Sequence, residues 1–315
     1  MAAFSRLKWW RRATPPAPWW QDAPSAAPTP DAGPHAAADA APDDARRGDF
    51  LLWCFAPCAD AAAPASADEL DCLDRLDAEL ARLADDPRAI ARPPLVLPRL
   101  LAALRHEHAD AQDLARLIAR DTALVADVLS QANSAYYRRG AAINTLERAV
   151  VVLGREGLSR LIAAAALRPL LSPGSGRLSA CAAPRLWELG NQRASGAAIL
   201  AHARQLAMFE AYLGGLLLDL GLSTAIRCVD RLVGPLPLPR SLAFYAALST
   251  KGRALGTQML QLWTLPPAIL RAVAEQTDAC GPLSALGGVL RDADRAAQRQ
   301  LLGSEDAQAA VASSA

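Results

Sequence analysis

Apolar positions recur at helical spacing in the segment 121–154. One predicted helix has an apolar face that comprises Leu124, Val125, Val128, Leu129 and Ala132. Asp121 precedes this face, and its carboxylate can accept hydrogen bonds from the free N–H groups of the first turn. A second helix is predicted to begin at Asn144, with Glu147 completing a capping box, and to end at Gly154. The segment therefore encodes two helices separated by a polar break.

The same periodicity predicts helices along most of the remaining chain. They are expected at 95–105, 110–120, 157–171, 184–207, 210–222 and 284–302. Ahead of them, Ser66 and Glu69 form a second candidate capping box, and the leucines that follow share one face of a helix that ends before Pro87. Apolar residues make up 52% of the chain, and many of them are alanine, the strongest helix former. We therefore predict an all-α protein.

Composition divides the chain into four parts. Residues 1–48 carry a Trp- and Arg-rich tip and then an Ala- and Pro-rich stretch, which together are predicted to be a disordered tail. Residues 49–90 combine an amphipathic helix with an apolar run at 50–55, which is expected either to form a strand-like arm or to pack on the main domain. Residues 91–302 are expected to form one helical domain, and residues 303–315 a disordered C-terminal tail.

The tip of the N-terminal tail interleaves aromatic and basic residues. They include Trp9, Trp10, Arg11, Arg12, Trp19 and Trp20. Indole rings and cations both gain at an anionic membrane surface, so the tip predicts weak membrane contact, with docking on a partner protein as the alternative. We see no signal peptide and no apolar run of the roughly 18 residues that a spanning helix needs. The expected location is cytoplasmic, with membrane association through the N-terminus.

The charge balance and the cysteines argue against two other classes of protein. A net charge of +1 provides no overall attraction for nucleic acid, so no nucleic-acid partner is expected. The six cysteines are scattered, and the closest pair, Cys54 and Cys58, has no second pair to complete a zinc site. We therefore predict reduced thiols and no cofactor.

The polar break and its flanks carry a specific pattern, D-x-A-L-x-x-x-x-L-x-x-A-N-S-A-Y-Y followed by I-x-x-L-x-x-A-V-x-x-L-G. This pattern resembles the signature of the HDOD family, the HD-related output domain of bacterial signalling proteins. Thr122 departs from it, because the family usually has proline there, although threonine is also accepted in a first helical turn. The resemblance extends from Leu95 to about Leu290 and implies a compact, multi-helix, HD-like bundle. The positions that it singles out, as structural or interaction residues, are Asp121, Asn133, Ser134, Tyr136, Tyr137, Gly154, Trp187, Asp219, Gly221, Trp263 and Pro266.

The metal-dependent HD phosphohydrolases that HDOD resembles place His and Asp ligands in a G-L-L-H-D-x-G motif. This chain has Leu218 at the histidine position and Asp219 at the aspartate position. Further expected histidine positions fall near Leu189 and at 275–277, where the chain has no histidine. Because a metal that activates water needs several converging ligands, we predict no metal site and no catalytic residues. Asp219 is expected to pair with an arginine or to cap a turn.

The resemblance implies a non-catalytic module of signal transduction, and we predict that it acts by binding another protein. One alternative is a sensor that binds a nucleotide in the former catalytic pocket without hydrolysing it. Tyr136 and Tyr137, beside two arginines, either stack on such a ligand or fill the core. The other alternative is a residual metal-dependent phosphohydrolase that acts on nucleotides.

Overall fold

The computed structural model describes residues 43–85, 92–105, 111–119, 121–133, 142–172, 174–234, 236–277 and 281–313. This part of the chain is helical and contains no strand beyond a single β-bridge between Asp60 and Ser241, which confirms the all-α prediction. The helices are α1 (Asp43–Phe55), α2 (Ala67–Asp85), α3 (Val96–Arg105), α4 (Ala111–Ile118), α5 (Thr122–Ala132), α6 (Leu146–Leu171), α7 (Arg177–Ala203), α8 (Met208–Leu217), α9 (Leu220–Val233), α10 (Leu242–Gln261), α11 (Pro267–Ala274) and α12 (Ala285–Ser313).

Helices α1 and α2 belong to the same compact unit as the rest of the described chain, a unit that spans Pro42–Ala315. The apolar run at 50–55 lies in α1 and packs on α7 and α10, so it is not a strand-like arm. The predicted capping box opens α2: Ser66 Oγ accepts from Glu69 N, and Glu69 Oε2 accepts from Ser66 N, both at 3.2 Å. The tail tip and the remaining residues up to 42 lie outside the described residues.

Buried side chains form two large apolar clusters. The first apolar cluster joins α3, α4, α5 and α6 to α8 and α11, together with parts of α7, α10 and α12. The second apolar cluster joins α1, α2 and α9, apart from Leu220 in the first cluster, to the other parts of α7, α10 and α12. Three long helices therefore run through both clusters, and α7 packs most extensively on α8 and α12.

Glu69 connects α2 to the beginning of α10. Its Oε1 accepts from the backbone N–H groups of Arg240 at 2.6 Å and Ser241 at 2.9 Å, and its Oε2 accepts from Ser241 Oγ at 2.6 Å. Burial alone would raise the pKa of this carboxyl group, but the hydrogen bonds from Ser241, Arg240 and Ser66 lower it overall. The carboxylate thus stays ionised and satisfies free N–H groups at two helix starts.

Several element boundaries differ from the sequence predictions. The helix expected at 184–207 runs over Arg177–Ala203, and the single helix expected at 210–222 is divided between α8 and α9. The N-cap of α6 is Thr145, whose side chain accepts from Arg148 N, and not Asn144 one residue earlier. Helix α1 begins at Asp43, inside the stretch predicted to be a disordered tail up to residue 48. Helix α12 continues to Ser313, past residue 303 where the disordered C-terminal tail was predicted to begin. The alanines in this last stretch favour helix even without an apolar face.

One apolar stretch corrects an expectation from the sequence. Met208–Val233 is long and apolar enough to cross a membrane, whereas we expected no such run. In the structure, 89% of its most apolar window is buried inside the folded unit, and the stretch is divided between α8 and α9. Its hydropathy is that of helices in a protein core.

Gly221 allows α9 to cross α10 at very short range. A Cβ atom at this position would lie 2.1 Å from the carbonyl oxygen of Gly252 and 2.2 Å from the backbone nitrogen of Gly256. Both neighbours are backbone atoms, so no rotamer change could relieve the clash. The resemblance singled out Gly221, and the structure assigns it this packing role.

We predict that Gly221→Ala destabilises the protein by about 3 kcal/mol, because the added methyl group must push two helix backbones apart. Gly288→Ala is the matched control, since its Cβ would lie 3.8 Å from the nearest heavy atom, in Arg204, and alanine favours helix by up to about 1 kcal/mol. Urea unfolding followed by circular dichroism measures both effects. Equal midpoints for Gly221→Ala and wild type would show that the crossing tolerates a side chain.

Candidate functional site

The side chain of Asn133 connects the end of α5 to the segment that precedes α6 by hydrogen bonds to the backbone. Its Nδ2 donates to the carbonyl oxygens of Leu129 at 2.8 Å and Ile143 at 2.6 Å. Its Oδ1 accepts from Ile143 N at 2.7 Å. The side chain thus satisfies backbone groups across ten residues, which is a structural role. Ser134, Tyr136 and Tyr137 lie outside the described residues, so their roles stay predictions.

Asp121 and Gly154 define the ends of helical segments. The carboxylate of Asp121 accepts from Leu124 N at 3.0 Å, as predicted for an N-cap. Gly154 has φ 64° and ψ −175° and interrupts the helical geometry of α6, which therefore consists of two segments. Non-glycine residues rarely adopt that backbone conformation, so the local backbone explains why a glycine stands at position 154.

Trp187, Trp263 and Pro266 support the first apolar cluster. Trp263 is buried within it, and Trp187 packs against it from α7 while half-buried. Pro266 precedes α11, and its carbonyl oxygen accepts from Ile269 N at 3.0 Å. These three residues, which the resemblance singled out, therefore have structural roles in or beside the first apolar cluster.

Asp219 lies in a buried cluster of three charged side chains, the Arg193 cluster, made by Arg193, Asp219 and Asp294. One guanidinium nitrogen of Arg193, Nη2, lies 2.6 Å from Asp219 Oδ2, and the other, Nη1, lies 2.7 Å from Asp294 Oδ1. Its Nε donates to the carbonyl oxygen of Gly215 at 2.8 Å. Only 2% of the Arg193 side chain and 10% of the Asp219 side chain are exposed. Of the two roles predicted for Asp219, the structure shows the arginine pair.

The two carboxylates keep Arg193 charged inside the protein. Burial alone would lower the pKa of the guanidinium, but the charges of Asp219 and Asp294 and their hydrogen bonds raise it overall. Gln298 Nε2 donates to the second oxygen of Asp294 at 2.9 Å. The charges are therefore paired and hydrogen-bonded, as burial of ions requires.

The Arg193 cluster lies where three helices pass between the two apolar clusters. Asp219 precedes α9, while Arg193 and Asp294 lie within α7 and α12. The flanking residues in the second and first apolar clusters, respectively, are Leu189 and Ala194 in α7, Leu222 and Leu220 in α9, and Ala297 and Ala293 in α12. The polar contacts are thus confined to a narrow layer between apolar ones.

A small cleft opens beside the Arg193 cluster. Besides the three charged residues, its lining comprises Leu218, Arg253, Val273, Gln276 and Thr277. The cleft thus brings Asp219 together with Leu218 and with Gln276 and Thr277, which lie at positions where the resemblance expects histidines. Leu189, the remaining expected position, packs instead in the second apolar cluster. Arg193, one helical turn further along α7, takes the place beside Asp219.

The residues of this cleft do not fit the metal of an HD phosphohydrolase. Within the described residues, no group of three or more His, Cys, Asp or Glu side chains converges as a metal site would require. The carboxylate oxygen Oδ2 of Asp219 faces a guanidinium nitrogen at 2.6 Å, so a cation bound there would meet a fixed positive charge. The Arg193 cluster instead connects α7, α12 and the start of α9 through ion pairs, and the cleft beside it is also lined by Arg253, Gln276 and Thr277.

Sequence reasoning missed Arg193 and Asp294. A signal for Arg193 exists, because it falls in phase with the small and apolar positions Gly190, Ala194 and Ala197 on the buried face of α7. A charged residue in that phase indicates a buried ion pair, but the sequence does not name its partner. Asp294 lies in α12 among other charged residues, and no spacing links it to α7.

The sequence matches the family model described as "HDOD domain" over residues 90–279. Among solved structures, the fold is similar to that of an HDOD domain protein of unknown function from Geobacter sulfurreducens, with a TM-score of 0.55 and 22% identity over 72% of this chain and 78% of that one. It is also similar to a candidate metal-dependent phosphohydrolase from Shewanella amazonensis SB2B, with a TM-score of 0.52 and 18% identity over 72% of this chain and 82% of the other. A candidate signal transduction protein from Marinobacter aquaeolei VT8 has a TM-score of 0.50 and 19% identity, with 80% of this chain and 55% of that one covered. A search of curated proteins finds no significant match.

We predict that Asp219→Asn destabilises the protein by about 3 kcal/mol, because it leaves the buried charge of Arg193 without one of its two carboxylates. Asp292→Asn is the matched control, because Asp292 lies on the same helix as Asp294 and forms a half-exposed ion pair with Arg204. Loss of such a pair lowers the free energy of unfolding by less than about 1 kcal/mol. The free energy of unfolding in urea measures both. Equal losses for the two variants would show that the Arg193 cluster adds nothing beyond a surface ion pair.

Proposed function

Because the chain belongs to the HDOD domain family, we propose that it is a non-catalytic regulatory module of signal transduction that acts by binding another protein. The observation that carries this proposal is the buried Arg193 cluster. At the position where an HD phosphohydrolase would use an aspartate to bind metal, this chain uses it to hold a guanidinium. The similarity to a candidate signal transduction protein supports the same class of function.

The chemistry of phosphoester hydrolysis supports the non-catalytic half of the proposal. A metal-dependent hydrolase needs a metal held by several ligands and an open coordination position where water is activated. The cleft instead offers a leucine, a valine, an amide, a hydroxyl group, two arginines and the carboxylates of Asp219 and Asp294. Both carboxylates are paired with Arg193, and no group of three or more His, Cys, Asp or Glu side chains among the described residues could hold a metal that activates water.

We expect purified protein to bind no stoichiometric manganese or iron and to hydrolyse no generic phosphodiester. Metal analysis after incubation with each ion, together with a bis-(p-nitrophenyl) phosphate assay, measures both properties. Stoichiometric metal and a turnover that Asp219→Asn abolishes but Asp292→Asn leaves intact would overturn the proposal in favour of a residual phosphohydrolase. Nucleotides that raise the midpoint of thermal unfolding would instead support the nucleotide sensor, because a ligand that binds only the folded state stabilises it.

The protein-binding half of the proposal predicts a complex that can be rebuilt from purified components. Affinity capture from the native host with the full chain should retain a partner, and the two purified proteins should then elute together in size-exclusion chromatography. A chain that lacks residues 1–20 is the matched variant, since it removes the Trp- and Arg-rich tip and leaves α1 to α12 in place. Failure of every captured protein to form a complex when purified would contradict the proposal.

We further propose that the Trp- and Arg-rich N-terminal tip makes weak contact with anionic membranes. If it binds anionic membranes, the shortened chain should lose co-sedimentation with liposomes while it keeps the rebuilt complex. The localisation of the module would then be set by the tip, and its partner by the helical unit.

A further inference from the structure

We propose that Cys58 and Cys181 form a reversible disulfide when the protein meets hydrogen peroxide, so that the turn after α1 becomes covalently bound to α7. The two thiols are 123 residues apart in the sequence, and their Sγ atoms lie 3.5 Å apart in the fold, where Cys58 donates to Cys181. A disulfide has an S–S distance of about 2.05 Å, so the sulfur atoms must approach by only about 1.5 Å.

The surroundings of this pair differ from those of the other described cysteines. Cys58 and Cys181 are half-buried, whereas Cys54, Cys72 and Cys228 are buried. Burial strongly raises the pKa of the Cys54 thiol, which makes it inert toward oxidants at neutral pH. Among the cysteines that the structure describes, the accessible thiols are therefore the two that face each other.

Two arginines of α7 flank the pair, one helical turn on either side of Cys181. Arg185 Nη1 donates to the carbonyl oxygen of Ala56, which holds the turn that carries Cys58 against α7. Burial and the hydrogen bond with Cys181 raise the pKa of Cys58 to about 11, although the charges of Arg177 and Arg185 act to lower it. The thiolate fraction is thus small at neutral pH, and the pair should respond to sustained oxidation and not to brief exposure.

The reaction balances with peroxide as the oxidant. One thiol, as its thiolate, attacks a peroxide oxygen and gives a sulfenic acid and one water after proton transfer. The second thiol then attacks the sulfenic sulfur, forms the S–S bond and releases a second water. Two thiols lose two electrons in total, hydrogen peroxide accepts them, and a dithiol reductant reverses the step.

The bond would restrain the N-terminal helices against the second apolar cluster. Cys58 follows α1, and Cys181 lies in the half of α7 that contributes to that cluster. Because the link closes a loop of 123 residues, it removes conformations mainly from the unfolded chain. Oxidation should therefore raise the midpoint of thermal unfolding by about 5 °C.

The test treats the full-length protein with hydrogen peroxide and compares it with the variants Cys58→Ser and Cys181→Ser, whose hydroxyl groups can keep a hydrogen bond. Wild type should lose 2 Da in intact mass. Non-reducing peptide mapping should join the peptide that contains Cys58 to the one that contains Cys181, and dithiothreitol should separate them. Both serine variants should lack the joined peptide and the rise in midpoint. The rate should increase between pH 7 and pH 9 as the thiolate fraction rises.

Cys54, Cys58 and Cys72 all fall on one tryptic peptide, so a joined peptide does not by itself identify which of them is linked to Cys181. Cys54→Ala and Cys72→Ala are therefore the matched controls. Each control should still form the joined peptide with Cys181. A link that persists in Cys58→Ser, a link to a different cysteine such as Cys280, or free thiols throughout a prolonged treatment would each overturn the proposal.

Discussion

The ion pairing of Arg193 is the interaction on which the arrangement of the long helices depends. Its guanidinium group contacts Asp219, Asp294 and the carbonyl oxygen of Gly215, and so joins α7 to the α8–α9 junction and to α12. A buried guanidinium is costly unless carboxylates and carbonyl oxygens surround it in good geometry. None of these helices can therefore shift at this level without leaving a charge unpaired. The small residues of the α9–α10 crossing impose a similar constraint nearby, since backbone meets backbone at Gly221.

This constraint also bears on what the protein can do. A catalytic carboxylate must keep an oxygen available for its metal, whereas Oδ2 of Asp219 is occupied by a side chain from its own fold. The lining of the cleft beside it includes all three side chains of this ion pairing, Arg193, Asp219 and Asp294. The family match covers residues 90–279 and therefore includes the Asp219 end of this ion pairing.

Local patterns predicted local structure well. The N-cap at Asp121 and the capping box of Ser66 and Glu69 involve atoms within a few residues, so their geometry follows from spacing alone. The prediction failed at Thr145, where two adjacent polar residues could both cap a helix and only the backbone decides between them. Helix α10 was not predicted, because its buried face includes Ser249, Gly252 and Gly256, which a count of apolar residues does not register.

By itself, the sequence determined the helical class, the HDOD resemblance and the residues that stand where the resemblance expects histidines, since each depends on residue type and on short spacing. The tertiary structure alone decided which charges are neighbours. Arg193 and Asp294 are 101 residues apart, and Cys58 and Cys181 are 123 apart. Contacts of that kind arise only when helices from distant parts of the chain pack together, because their distance depends on the crossing of whole helices and not on any local preference.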